Sequence, residues 1–380
     1  MTYPDETEVL LESSAQHFLA HEFKSERLRK IYNGTAAYDR DFWVQLAEQG
    51  WLSLRLPENL DGSGLTVRHL GIVANAFGRH AVPEPFVACS LVPAVLAAEL
   101  AIESRWDNIT SGLIDGSYIV TLAWQEHSQQ LDGAPQSVVA TTQGDNYAIT
   151  GTKYGVVAAR WADALLVSAQ LDENSALFLI PRDTSGMTID EHVTSDGGTV
   201  ATVCLQDVKV AEQSLLAQGT DLLRAMSLAR DEATLVTAVQ LTGMATAALE
   251  ITLDYLRTRV QFDRVIGSFQ SLQHMAVDVR IQQALARAAC RSAERCHETA
   301  PSEPATRQAI AAAKARASDA ALTAGRFGVQ AHGAIGYAAE AEIGLYLKGA
   351  LRLAAYWGTS AQNRKRYGEL ADAAPRENSQ

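Results

Sequence analysis

The sequence predicts an α+β chain of several domains: an N-terminal helical domain over residues 1–118, a central antiparallel β-barrel or sandwich over 119–215, and a C-terminal four-helix bundle over 216–380. Three observations predict it. Apolar residues recur at helical spacing towards both ends of the chain. Between Ser117 and about residue 215 the pattern changes to short β-rich runs separated by turn residues. At 380 residues, 47% hydrophobic and 20% charged, the chain is long and apolar enough for two or three modules with real cores.

In the first region Leu10, Leu11, Phe18 and Leu19 lie at helical spacing with charges between them. The segment DFWVQLAEQGWLSLRLPENLDGSG ends a helix at Gly50, passes an apolar stretch to Pro57 and turns on Asp61-Gly62-Ser63-Gly64. SLVPAVLAAELAIE (90–103) is a further apolar helical run. The central runs are YIVTLAW, SVVATTQGDNYAITGTKYGVV, ADALLVSAQ, ALFLIPR and TVATVCLQDVKV. Gln143-Gly144-Asp145-Asn146 reads as a hairpin turn. Residues 231–258 are apolar on nearly every face, as expected of a helix at the centre of a bundle. Helices follow over 305–327 and 340–357, with a break at Pro301 and Pro304.

The net charge of -12, with no long basic run, argues against nucleic acid as a partner. Cys89, Cys204, Cys290 and Cys296 have no metal-ligand spacing and read as free thiols in a reducing compartment, so no metal is expected. The acidic N-terminus lacks an apolar signal core, and no run reads as long enough to span a bilayer. A cytoplasmic protein with no membrane partner is expected.

Five short motifs carry more specific information. GWLSLRLPENLDGSG (50–64), YAITGTKYGVV (147–157), RVQFDRVIGSFQSLQH (259–274), QAHGAIGY (330–337) and YWGTS (356–360) follow one another across nearly the whole chain. In content and order they resemble the signatures of acyl-CoA dehydrogenases. The resemblance implies the acyl-CoA dehydrogenase fold, FAD as cofactor, an acyl-CoA substrate, αβ-dehydrogenation, and electron-transfer flavoprotein or a similar acceptor. It also implies flavins that lie across subunit interfaces.

By that resemblance Arg259 would meet the FAD pyrophosphate of a neighbouring subunit, a role suited to a planar guanidinium fork. Phe262 and Ile266 would pack near the adenosine half, and Gln270 would hydrogen-bond it. Gln330, Gly333 and Ala334 would approach the same neighbouring FAD, Ala334 standing where the family prefers a second glycine.

The motifs that would hold this chain's own flavin ring are altered. QEHSQQLD (125–132) lacks the family's proline and glycine, although Gln125, Glu126 and Asp132 stay polar. Gly155-Val156-Val157 replaces a tryptophan-isoleucine-threonine triplet. The usual catalytic glutamate position is Trp357, which cannot accept a proton. A second family position for the base, on the long helix, aligns with Ala233; Glu232 is one residue away, about 100° around a helix. Glu232 is therefore a weak candidate base, equally explained as an acidic residue in a first helical turn. His127, His274 and His332 have no ligand spacing and read as interface or surface residues.

The retained residues serve a neighbour and the altered ones serve the chain itself. This pattern is similar to the degenerate subunit of α2β2 acyl-CoA dehydrogenases, pairs that act on bulky acyl-CoAs such as steroid side-chain thioesters. A second acyl-CoA dehydrogenase-like subunit is the expected partner. A homo-oligomer using Glu232 and a flavin-free acyl-thioester-binding or assembly protein are the alternatives.

Overall fold

The computed structural model describes residues 5–22, 25–32, 38–100, 104–127, 130–338 and 340–373. The expected helix over 90–103 thus has its last three residues outside the described set, as are Ser128 and Gln129 of the altered loop. The helices that open the chain are α1 (Glu6–Glu22), α2 (Ser25–Tyr32), α3 (Arg40–Glu48), α4 (Val67–Arg79), α5 (Val92–Leu100) and α6 (Asp107–Asp115). The strands β1 (Val120–Ala123), β2 (Val139–Gln143), β3 (Asn146–Val157), β4 (Ala164–Leu171), β5 (Asn174–Pro181), β6 (Met187–Val193), β7 (Thr199–Ala211) and β8 (Leu215–Gln218) follow. The chain continues with α7 (Thr220–Thr258), a small hairpin of β9 (Val260–Gln261) and β10 (Arg264–Val265), α8 (Gln270–Thr299), α9 (Pro304–His332), α10 (Glu342–Ala355) and α11 (Ser360–Ala373).

The chain divides into two compact units rather than along the three expected spans. One holds Ala37–Thr66 and Glu84–Ala233, so that α3, α5 and α6 group with the strands; the other holds Met1–Ala36, Val67–Pro83 and Thr234–Gln380.

In the strand-bearing unit the sheet runs β6-β7-β3-β2-β4-β5-β8, with β1 also on β4. The barrel alternative is corrected: β6 and β8 end the path without pairing, and the sheet is mixed, because β1 and β2 both lie parallel to β4. The reason is local. β1 pairs with Ala164–Val167 and β2 only with Gln170 and Leu171, so the two share one edge of β4 with a gap between them. The segment 124–138 leaves the sheet at that gap. Gln143 pairs with Asn146 around Gly144-Asp145, the expected two-residue turn. The core is aliphatic: Ile149, Val156, Leu165, Val167, Phe178, Ile180, Val203 and Leu205 are all essentially buried.

In the helical unit α4 crosses α7 almost backbone to backbone. A Cβ on Gly78 would stand 2.0 Å from the Gln240 carbonyl oxygen, and one on Gly243 would stand 2.2 Å from that of Asn75. Only glycine permits that approach, and Asn75 Nδ2 then donates to Thr242 Oγ1 at 3.2 Å. α9 buries an alanine face: Ala313, Ala317, Ala320 and Ala324 lie with Gly325 and Gly328 at positions that bring α10 close. The reading that no run is long enough to span a bilayer is also corrected. α7 begins at Thr220, not 231, and is long and apolar enough; 83% of its most apolar window is buried inside the protein, as for a core helix.

Lys314 on α9 is fully buried. Its ammonium donates to Ser318 Oγ at 3.3 Å, to the Ala354 carbonyl at the end of α10 at 3.2 Å, and to the Gly358 carbonyl at 3.0 Å. Loss of hydration pulls its pKa down from 10.5 to about 7. A lysine depressed in the folded state leaves the unfolded chain holding more protons between about pH 7 and 10.5, so stability rises with pH through that window. The buried Cys89 thiol, pushed up to about 12, acts oppositely once unfolded cysteine ionises near pH 8.5. The thermal midpoint should therefore rise by a few degrees from pH 7 to about 8.5. Lys314→Met should flatten that slope; an unchanged slope in calorimetry refutes the assignment to Lys314.

Candidate functional site

The end of α7 runs straight into the β9–β10 hairpin. The Arg259 N–H donates to the Tyr255 carbonyl at 2.9 Å and continues the last helical turn, and the Ile266 N–H returns to the Arg259 carbonyl at 2.9 Å. Gln261 pairs with Arg264, so Phe262 and Asp263 form the two-residue tip, with φ of 54° and 62°. Both are left-handed, which costs an L-residue on the order of 1–3 kcal/mol. Phe262 is nonetheless 85% exposed. The hairpin is held from below: Arg264 lies over the Phe269 ring at 3.9 Å, and Ile266 is buried. The Ile266 side chain packs into its own chain.

The end of α9 meets the same corner. The His332 ring stacks on Tyr255 with centroids 4.1 Å apart, and its Nδ1–H donates to the Gly328 carbonyl at 2.7 Å. His332 is a packing residue that places Gln330, Gly333 and Ala334 at the end of the helical unit that carries Arg259. All three are exposed. Gly333 takes φ 66° and ψ -140°, a glycine conformation, whereas Ala334 has no positive φ, so its methyl group meets no backbone strain. Ile335 and Tyr337 beside them are 51% and 81% exposed. The exposed Arg259 side chain forms no hydrogen bond or ion pair among the described residues, and neither does that of Gln270 or Gln330. Six sequence-selected residues, Arg259, Phe262, Gln270, Gln330, Gly333 and Ala334, are therefore exposed in the helical unit.

In the altered loop Gln125, Glu126 and Gln130 are hydrogen-bonded within the strand-bearing unit, whereas Asp132 is exposed. The Glu126 carboxylate accepts the N–H groups of Gln136, Ser137 and Val138 at 2.8, 2.6 and 3.1 Å, and Lys153 Nζ at 2.9 Å. Lys153, with no exposed surface, also donates to the Trp124 carbonyl and to Ser168 Oγ, filling the gap on β4 between β1 and β2. Burial works to raise the Glu126 carboxyl, but the Ser137 and Gln136 amides and Lys153 outweigh it and hold it below the usual range. Burial draws Lys153 down to about 8 against the opposing pull of Glu126. With two oxygens and an ammonium all bonded, the pair is charged at neutral pH. Gln125 Nε2 donates to the Gln130 carbonyl, and the Gln125 carbonyl accepts from Tyr154. At Gly155, where the family has tryptophan, φ is 64° and a Cβ would lie 2.7 Å from Gln125 Oε1. The loop has closed on itself.

Glu232 is likewise occupied. It is completely buried, and Arg55 grips it through Nε at 2.9 Å and Nη2 at 2.9 Å. Burial works against the Arg55 charge, but Glu232 outweighs it and raises its pKa. Trp357 is half-buried in a left-handed turn, φ 56°, whose following carbonyl is held by Lys314 and Asn363. Arg55 and Lys153 were not picked out from sequence; the available signal was a lone cation in each of two otherwise apolar stretches, SLRLP and ITGTKYGVV. Asp5, Glu8 and His69 bring ligand atoms within 4.8 Å of one another, but Glu8 is already held by Arg68 at 2.6 Å.

A helical N-terminal region, a mixed sheet and a C-terminal set of long helices with a hairpin after the first make up the acyl-CoA dehydrogenase fold. Residues 5–101 match the acyl-CoA dehydrogenase N-terminal domain and 223–369 the C-terminal domain. The chain is 32% identical over 276 residues to acyl-CoA dehydrogenase FadE27 of Mycobacterium tuberculosis, covering 71% of each. Its structure is similar to a chain of the ChsE4–ChsE5 complex from the same organism, at a TM-score of 0.87 and 25% identity, over 99% of this chain and 100% of that one. It is also similar to a chain of a point variant of the Tcur3481–Tcur3483 steroid acyl-CoA dehydrogenase, at a TM-score of 0.84 and 27% identity, over 97% and 98%. The chain belongs to the acyl-CoA dehydrogenase family, whose members bind FAD.

The Arg55–Glu232 pair makes a stability prediction. Arg55→Met leaves a buried carboxylate without its cation and should cost about 3–5 kcal/mol. Adding Glu232→Leu should recover most of the loss. Urea unfolding of both variants checks this, and equal stability of the single and double variants would contradict the pairing.

Proposed function

We propose that this chain is the non-catalytic subunit of a heteromeric, FAD-dependent acyl-CoA dehydrogenase, supplying the ADP half of the flavin site to an unlike partner in an α2β2 assembly. One observation carries the reading. Arg259, Phe262, Gln270, Gln330, Gly333 and Ala334 face outward and unbonded, whereas the groups that would serve the chain's own flavin ring and base are bonded internally. A homo-oligomer needs both sets in every chain; a pair of unlike chains needs each set once.

Bound flavin supplies the acceptor for the β-hydride of an acyl-CoA, while a carboxylate takes the α-proton. In this reading the partner provides that carboxylate, because Trp357 has no acceptor and Glu232 is neutralised by Arg55. This chain's part is to bind. Arg259 neutralises pyrophosphate charge with a fork that matches phosphate oxygens. Phe262 covers the adenosine side from a strained, outward tip, and Gln270 and Gln330 supply hydrogen bonds. A bulky acyl-CoA of the steroid side-chain type is the proposed substrate class, supported by the likeness to a chain of a steroid acyl-CoA dehydrogenase. Electron-transfer flavoprotein or a similar carrier is the proposed acceptor, and the cytoplasm the proposed location.

The purified complex should carry about one FAD per pair of unlike chains, and the isolated chain none. Flavin absorbance against protein concentration measures this; one FAD per chain rejects the subunit role. Arg259→Ala should weaken FAD retention by the complex about ten- to a hundredfold, the effect of losing one charge-assisted bond of roughly 1.5–3 kcal/mol. Arg259→Lys should restore it only partly. Circular dichroism of the isolated variant should match wild type, and undiminished retention would show that this chain does not hold the phosphates.

A further inference from the structure

α1 carries two histidines one turn apart on its solvent face. Its inner face buries Glu8, Ala15 and Leu19. His17 and His21 lie two residues beyond Ala15 and Leu19 respectively, about 200° around the helix, and both are exposed. Residues four apart stand one above the other on a helix, so the two rings meet. Their centroids are 4.4 Å apart and their planes differ by 25°.

Hydrogen bonding decides where the free electron pairs are. His21 Nδ1 lies 2.9 Å from the His17 carbonyl oxygen. A carbonyl only accepts, so Nδ1 carries the proton and the lone pair of the neutral ring sits on Nε2. Metal-binding histidines use the same kind of contact to fix their tautomer and ring orientation. The His17 ring has no hydrogen bond or ion pair among the described residues, and the His21 ring has no other. Ser13, Ser14 and Ala20 beside them are small and exposed, which leaves room for water on an ion held there.

Imidazole nitrogen suits a divalent ion of the zinc, nickel or copper class, whereas calcium and magnesium take oxygen. A tetrahedral ion with Zn–N of about 2.0–2.1 Å needs its two nitrogens roughly 3.3 Å apart. Side chains one turn apart, with Cβ atoms about 5–6 Å from each other, reach that separation by small ring rotations. The helix holds both ligands before the ion arrives. The second bond is then intramolecular and adds on the order of a hundredfold in affinity over one imidazole.

We infer that His17 and His21 form a surface chelate for one divalent transition-metal ion, its remaining positions filled by water. This does not depend on the heteromeric reading. The expectation of no metal rests on the cysteines, from which this pair is separate. The Asp5, Glu8 and His69 group at the other end of α1 is a poorer site, because Glu8 already bonds Arg68.

The test titrates the untagged full-length chain with Ni2+ in a non-coordinating buffer, followed by isothermal calorimetry. Wild type should bind one ion per chain in its tightest phase. His17→Ala and His21→Ala should each weaken that phase by about a hundredfold. The double variant should be little weaker than either, because a single imidazole is no chelate. Asp5→Asn should leave the phase unchanged. Pulsed paramagnetic resonance of the first Cu2+ equivalent should show two imidazole nitrogens in wild type and one in either variant. Both side chains are exposed, so circular dichroism of the variants should match wild type. A tight phase that survives His17→Ala, or is lost in Asp5→Asn, overturns the inference. A single imidazole nitrogen in the wild-type spectrum overturns it as well.

Discussion

A buried carboxylate must be met by a cation or by N–H groups, because its desolvation is too costly to leave uncompensated. In the strand-bearing unit that constraint is satisfied twice from within. Glu126 has Lys153 and three backbone amides; Glu232 has both faces of its carboxylate on Arg55. Each partner also holds up something larger. Lys153 closes the break where β1 and β2 share the edge of β4, and Arg55 ties the segment after Trp51 to the first turns of α7. Redirecting either carboxylate to a ligand or a substrate proton would expose its cation to the same penalty.

The helical unit follows the opposite rule. Its hairpin tip holds two L-residues in left-handed conformations and leaves an aromatic ring in solvent, both unfavourable for an isolated chain. Arg259 at its base and Tyr337 across the Tyr255–His332 stack are exposed in the same region.

Much of this was legible in the sequence. Helical periodicity, the β-rich centre, the Gly144-Asp145 turn and the break before Pro304 are set by local preferences, and local preferences survive folding. The segments from Arg259 to Gln270 and from Gln330 to Tyr337 are each continuous in sequence, so their residues lie near one another without long-range contacts. The barrel did not survive, because strand closure depends on which edges meet, and β1 and β2 met the same one. The burial of Ile266 was not legible either: its spacing from Arg259 said nothing about which way a tight hairpin would turn its side chain.

By itself, then, the sequence determined the element types, the order of the motifs and the absence of a carboxylate at position 357. Those depend on residue identity and on neighbours a few positions away. Only the tertiary structure decided that Glu232 bonds Arg55, that Glu126 bonds Lys153, and that Arg259 has no side-chain partner among the described residues. Each charge pair spans residues 27 or 177 positions apart, and whether a charge is paired or available is a property of distance in space, which no local pattern encodes.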